Sequence, residues 1–136
     1  MDDLFLKIIA GDIPSARIYE DAQVVAFLDI NPNNKGHALV VPRQKFRNIF
    51  DGDSELLAHM MVVAQKIARA QSESLHADGV NIIMNNDAAA GQEIFHAHLH
   101  VIPRFTGDHS FPAFPHKEYD VGEIDIFAEK IKNAMH

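Results

Sequence analysis

The run His96-Ala97-His98-Leu99-His100-Val101-Ile102 alternates imidazole with an apolar side chain. A period of two is the period of a β-strand. An extended backbone sets His96, His98, His100 and Ile102 on one face and Ala97, Leu99 and Val101 on the other. The second face can pack into a core. Neighbouring histidines on the first stand roughly 6–7 Å apart, two residues at ~3.3 Å rise each. Three imidazoles in a row suit neither an interior nor a plain solvated edge, so this strand is expected to carry chemistry.

The rest of the chain supplies partners for it. Leu4, Phe5, Ile8 and Ile9 recur at helical spacing and Gly11 follows as a stop, which predicts a short helix. Residues 17–20 and 24–30 read as strands with a polar turn between them. Asn31-Pro32-Asn33-Asn34-Lys35-Gly36 is a loop, and residues 37–41 form a third strand closed by Pro42. Asp53 or Ser54 caps a long helix to about Leu75, whose apolar stripe is Leu56, Leu57, Met60, Ala64, Ile67, Ala68 and Leu75. Met61, Val62 and Val63 widen that stripe. The helix is therefore either deeply buried in its own chain or in contact with a partner subunit. A strand over 80–85, a small-residue loop over 87–92 and the histidine strand over 94–102 follow. Ile124, Phe127, Ala128 and Ile131 predict a terminal helix. Strands joined by short turns, with the helices segregated from them, give an α+β domain on a mostly antiparallel sheet of five strands.

A length of 136 residues fits one domain, taken as residues 1–136. The formal charge of −7 argues against sequence-independent binding to nucleic-acid backbones, which needs a basic surface. It leaves room for a local phosphate site. No cysteine is present, so there is no disulfide framework, thiolate metal site or thiol nucleophile. No apolar run approaches the ~20 residues that span a bilayer, and the amino terminus lacks the basic start of a secretory signal. These features predict a cytoplasmic protein without membrane contact.

The three histidines admit two chemical readings. His-x-His on a strand can place two ligands on a metal such as zinc, with Asp29 or His37 as a third. Alternatively a neutral imidazole acts as a nucleophile. Local spacing does not separate the two.

Wider context does. Phe27-Leu28-Asp29-Ile30, the Gly36-His37 segment, Gly91-Gln92 and the histidine run stand in one order along residues 4–104. In these motifs the chain resembles the histidine triad (HIT) family, in its bacterial HINT-like branch. The resemblance implies a HIT-like fold and a nucleotide hydrolase or transferase with a covalent nucleotidyl-histidine intermediate. His98 would be the nucleophile. His100 and His37 would face the phosphoryl oxygens or orient one another, and His96 would support the strand. Asn85 and Gln92 would hydrogen-bond the phosphate chain or the leaving group, and Gly91 would let the backbone approach it. Asp29 would accept from ribose hydroxyls. Phe5, Ile8, Ile13, Phe27 and Ile30 match positions that sandwich the base. No metal or other cofactor would be required. The branch with short chains forms homodimers, which fits the wide stripe of the long helix.

Two departures from the family pattern stand out. Many bacterial relatives bind a structural zinc through a Cys-x-x-Cys and a later histidine, and here those positions are Asp3, Leu6 and Lys45. No such zinc is expected. Glu93 replaces a serine or threonine that some relatives place beside the leaving group. The reading reached is a hydrolase acting at the α-phosphorus of purine nucleoside phosphoramidates or related conjugates. Diadenosine polyphosphate hydrolysis is the nearest alternative, followed by a nucleotide-binding module with vestigial catalysis and by a metal-dependent hydrolase.

Overall fold

The computed structural model describes residues 3–109 and 114–135. Three α-helices, α1 (Leu4–Ala10), α2 (Ser54–Leu75) and α3 (Glu123–Ala134), accompany five strands. These are β1 (Arg17–Glu20), β2 (Val24–Leu28), β3 (Ala38–Pro42), β4 (Gly79–Ile83) and β5 (Leu99–Arg104). They form one sheet in the order β1-β2-β3-β5-β4. Each neighbouring pair is antiparallel. The fold is thus the α+β architecture on a five-stranded antiparallel sheet that was expected.

Both faces of the sheet centre are apolar, because helices cover both. Val24 and Ala26 of β2 and Ala38 and Val40 of β3 pack with Met60, Val63 and Ala64 of α2. Val25, Phe27, Leu39 and Val41 point the other way and pack with Phe5 and Ile8 of α1. Alternation alone generates the two layers. Burial of each of the larger side chains among them contributes roughly 1.5–3 kcal/mol. The Asp53 carboxylate accepts from the Leu56 amide at 3.0 Å and starts α2.

The expected strand boundaries shift at the site. The sheet reaches back only to Leu99, not to Ile94. Before it, the Ala97 amide donates to the Phe46 carbonyl at 2.8 Å, so Ala97 bonds to the loop after β3 instead of continuing the ladder. The facing pattern nevertheless persists: Ala97, Leu99 and Val101 belong to the α2 side, while His96 and His98 meet Phe5 on the α1 side. β2 stops at Leu28 and β3 starts at Ala38, which leaves Asp29 and His37 just outside the ladder. Asn85 likewise follows β4, which ends at Ile83.

The wide stripe of α2 divides. Val63 is core, whereas Met61 and Val62 are exposed beside Ile82 of edge strand β4. In α3 the expected apolar residues Ile124, Phe127 and Ile131 are all exposed, and no residue of the helix is buried. Among the described residues no helix is long and apolar enough to cross a membrane.

Candidate active site

Four histidines converge where α1, the end of β2, the start of β3 and the entry to β5 meet. Register places His100 opposite Leu39 on one side and Ile83 on the other. His37 sits one residue before β3, and its ring approaches His100 with centroids 5.1 Å apart. Gly36 makes this turn possible. Its φ is +96°, and a Cβ there would lie 2.6 Å from Leu75 Cδ1. Gln71, buried in α2, donates from Nε2 to the Gly36 and Val101 carbonyls, at 3.0 Å each. This one amide ties the turn before His37 to the strand that carries His100. The chain pattern gave no sign of it beyond a polar residue within an apolar stripe.

Hydrogen bonds assign each ring its tautomer. The Asn33 amide donates to His37 Nδ1 at 3.1 Å, so His37 carries its proton on Nε2. That Nε2–H donates to His100 Nδ1 at 2.9 Å, which puts the His100 proton on Nε2. His98 Nδ1–H donates to the His96 carbonyl at 2.7 Å, leaving the lone pair on Nε2. His96 Nε2–H donates to the Pro42 carbonyl at 2.8 Å. Its Nδ1 is buried without a hydrogen-bond partner among the described residues. Backbone groups thus dictate both the tautomers and the ring directions.

Burial holds all four rings neutral. It pushes the pKa of His37, His96 and His98 down, partly offset at His37 and His98 by the Asp29 carboxylate. His100 falls to about 4 through burial and through the neighbouring His98 and His37. A neutral His98 has the free lone pair that a nucleophile needs. A neutral His100 keeps one N–H to offer.

These side chains open onto a cleft of about 720 Å³, a size that suits a small-molecule ligand. His98, His100, Asp29, Asn85, Gly91 and Glu93 line its polar part. Phe5, Ile8, Ile13, Phe27 and Ile30 line the apolar part, with Ile30 exposed at the rim. Ten of the thirteen residues expected at the site therefore share this cleft. Gly91 has φ +93°, a backbone that only glycine adopts readily. Phe5 lies edge-on to both histidines, with ring centroids 5.0 Å from His98 and 5.6 Å from His96.

Three expected residues lie off the cleft. His37 and His96 stand behind it, both buried, and reach it through His100 and His98. Gln92 departs further from expectation. Its Nε2 donates to the Arg47 and Ile94 carbonyls, and its Oε1 accepts from Asn48 Nδ2 and the Asp87 amide. The amide is spent on shaping the 85–94 loop and has nothing left for a phosphate. Glu93, next in the chain, points into the cleft instead.

Two supports went unread in the sequence. Arg17 donates from Nη2 to the Ile8 and Ile9 carbonyls at 2.7 and 2.6 Å, closing the carboxyl end of α1. The last carbonyls of a helix lack i+4 partners; the Ile8 carbonyl also accepts the Gly11 amide at 3.1 Å. At the other end of α1, Lys45 Nζ lies 3.3 Å from Asp3 Oδ1. Asp3, Leu6 and Lys45 do not suit zinc. Leu6 offers no ligand atom, and the Lys45 ammonium puts positive charge where a cation would sit.

Among the described residues, Asp29, His37 and His100 form a group that could hold a metal, with ligand atoms within 4.8 Å of one another. Their wiring opposes it. His37 Nε2 would have to give up its proton, and Nδ1, the other ring position for that proton, already faces the Asn33 N–H. Two donors would then confront each other. His37 and His100 form a hydrogen-bonded pair, with Asp29 Oδ2 3.8 Å from His37 Nε2.

An antiparallel α+β sheet with oriented, neutral imidazoles on β5 and just before it, facing a cleft of small-molecule size, defines a histidine-centred site. The family model of the HIT domain matches residues 10–107, and this chain belongs to that family. It is 46% identical over 110 residues to Protein hit of Bacillus subtilis, covering 81% of this chain and 76% of that one. It is 38% identical over 103 residues to Adenylylsulfatase HINT3 of Arabidopsis thaliana, covering 76% of this chain and 52% of that one. A crystal structure of a HIT family member from Bacillus subtilis superposes with a TM-score of 0.89 at 38% identity, covering 98% of this chain and 96% of that one. Family membership gives the chain a nucleotide-hydrolase or nucleotide-binding role.

Proposed function

We propose that this protein hydrolyses purine nucleoside phosphoramidates or related conjugates at the α-phosphorus, with His98 as nucleophile. The observation that carries the reading is the His98 ring. Its Nδ1–H is held by the His96 carbonyl, and its Nε2 lone pair belongs to a residue that lines the cleft. In the first step Nε2 bonds to phosphorus and the phosphorus–nitrogen bond breaks toward the leaving nitrogen. That nitrogen takes a proton from solvent and departs as an amine. In the second step water attacks phosphorus, the electron pair of the nitrogen–phosphorus bond returns to Nε2, and one proton is released. The sum is phosphoramidate plus water to amine plus nucleoside monophosphate.

Charge builds on the non-bridging oxygens during each attack, and a fixed donor there acts most strongly. His100 Nε2–H is that donor. His37 keeps it so oriented, because His100 Nδ1 is occupied as an acceptor. Asp29 serves the ribose hydroxyls, and Phe5, Ile8, Ile13, Phe27 and Ile30 hold the base. Asn85 and Gly91 flank the phosphate. Relationship to an adenylylsulfatase supports chemistry at an adenylyl phosphorus. The exposed strip of Met61, Val62 and Ile82 along α2 and edge strand β4 supports a homodimer, and the cysteine-free chain supports a cytoplasmic setting.

The test is rapid quench with a radiolabelled adenosine phosphoramidate. Label retained on the wild-type protein as an acid-labile adduct, and absent from His98→Ala, is expected. Turnover should persist in chelator. Turnover without any adduct would overturn the covalent route, and chelator-sensitive turnover would overturn the metal-free one.

A further inference from the structure

The proposed substrate is anionic, yet no lysine or arginine is among the described residues that line the cleft. Its imidazoles are neutral, so they contribute donors and no charge. The charged side chains on its wall are two carboxylates, Asp29 and Glu93. Asp29 is engaged: Oδ1 accepts the Asn31 amide at 2.9 Å, and Oδ2 lies 3.8 Å from His37 Nε2. The Glu93 side chain is exposed to the cleft and makes no hydrogen bond or ion pair among the described residues. Gln92, its neighbour, is locked in the loop by four hydrogen bonds, which fixes the backbone that aims Glu93 inward.

An unpaired carboxylate beside a phosphate is unfavourable unless a cation joins them. The described residues of the cleft wall supply none. A substrate can. We infer that Glu93 selects the leaving group. The cleft takes nucleoside phosphoramidates whose departing amine carries a second, cationic nitrogen in preference to those with neutral or anionic leaving groups. This deepens the reading of the site as a nucleotidyl-histidine hydrolase and rests on it. The reacting nitrogen is unchanged, and the bonds formed and broken are those given above. The second nitrogen remains an ammonium throughout and only pairs with Glu93. Dinucleoside polyphosphates fall at the unfavourable end, since their leaving group adds negative charge beside two carboxylates.

The test uses three adenosine 5′-phosphoramidates of equal tail length, ending in ammonium, hydroxyl or carboxylate, and measures kcat/KM for each. Wild type is expected to prefer ammonium over hydroxyl on the order of fivefold, the upper range for a solvent-exposed ion pair, and to disfavour carboxylate. Glu93→Gln should bring the ammonium-to-hydroxyl ratio close to one, and Glu93→Asp should restore part of it. The preference should shrink at about 1 M salt, where screening extends only ~3 Å. A wild-type ratio near one, or one that survives in Glu93→Gln, would overturn the inference. If wild type turns over none of the three, the hydrolase reading falls. The tail preference is then read from competition of the same compounds against adenosine monophosphate, and equal affinities there overturn it too.

Discussion

Replacing Arg17 by Met should release one wall of the cleft while leaving the sheet intact. Helix α1 has seven residues, too few to hold itself together in water. It depends on Phe5 and Ile8 being buried beneath it and on its last carbonyls finding donors. Arg17 supplies two charge-assisted bonds, to the Ile8 and Ile9 carbonyls. Bonds of this type contribute roughly 1.5–3 kcal/mol each when desolvated. The Arg17 side chain is 30% exposed, so screening and replacement by water leave about 2 kcal/mol for the pair. Met keeps most of the aliphatic stem and removes both donors. At 1.4 kcal/mol per factor of ten, opening of α1 becomes on the order of 30-fold more frequent. Hydrogen exchange reads this directly, because helix amides exchange through local opening. The amides of Ile8, Ile9 and Ala10 should lose about that factor in protection, while those of Val40 and Val41 keep theirs. Unchanged protection in α1 would refute the clamp. An equal loss across α1 and β3 would refute its locality.

Other consequences follow from the same geometry. His100→Ala removes the donor assigned to the phosphoryl oxygens, and kcat should fall roughly 10²–10³-fold with little change in adenosine monophosphate affinity, as steady-state kinetics and calorimetry would show. Gln92→Leu removes a donor from the Arg47 and Ile94 carbonyls and an acceptor from the Asp87 amide and one Asn48 Nδ2 proton; it should destabilise the protein by about 2–4 kcal/mol and lower Tm by several degrees in calorimetry. The buried histidines set the acid limit. Their folded pKa values lie below the unfolded value of about 6.5, with His100 at about 4. Between those values the unfolded chain binds more protons, so stability is full above the unfolded pKa and falls as pH drops from about 6.5 toward 4. Tm measured across that range should decline steadily, and a flat profile would contradict the burial. Activity should stay level below pH 6.5, until His98 itself takes a proton.

Sequence by itself determined more of this site than its irregular backbone suggests. Alternation put His98 and His100 on one side and Ala97, Leu99 and Val101 on the other, because side-chain period is a local property of extended chain. It also overextended the strand to Ile94. Where a ladder ends depends on which backbone group answers each amide, and the Phe46 carbonyl, some 50 residues from Ala97, answers that one. The motif resemblance gathered His37, Asp29 and Asn85 about the triad. It could not distinguish Gln92, whose amide turns into the loop, from Glu93, whose carboxylate turns into the cleft. Such a choice rests on contacts with Arg47, Asn48 and Asp87 that only the folded chain assembles. The tautomers were equally out of reach. They depend on the Asn33 amide and the Pro42 and His96 carbonyls, and a backbone donor or acceptor has no signature in residue type. The residues proposed to perform chemistry were legible because the proposed chemistry needs imidazole. Those that aim the imidazoles were not, since any residue has an amide and a carbonyl, and tertiary structure alone decides where they point.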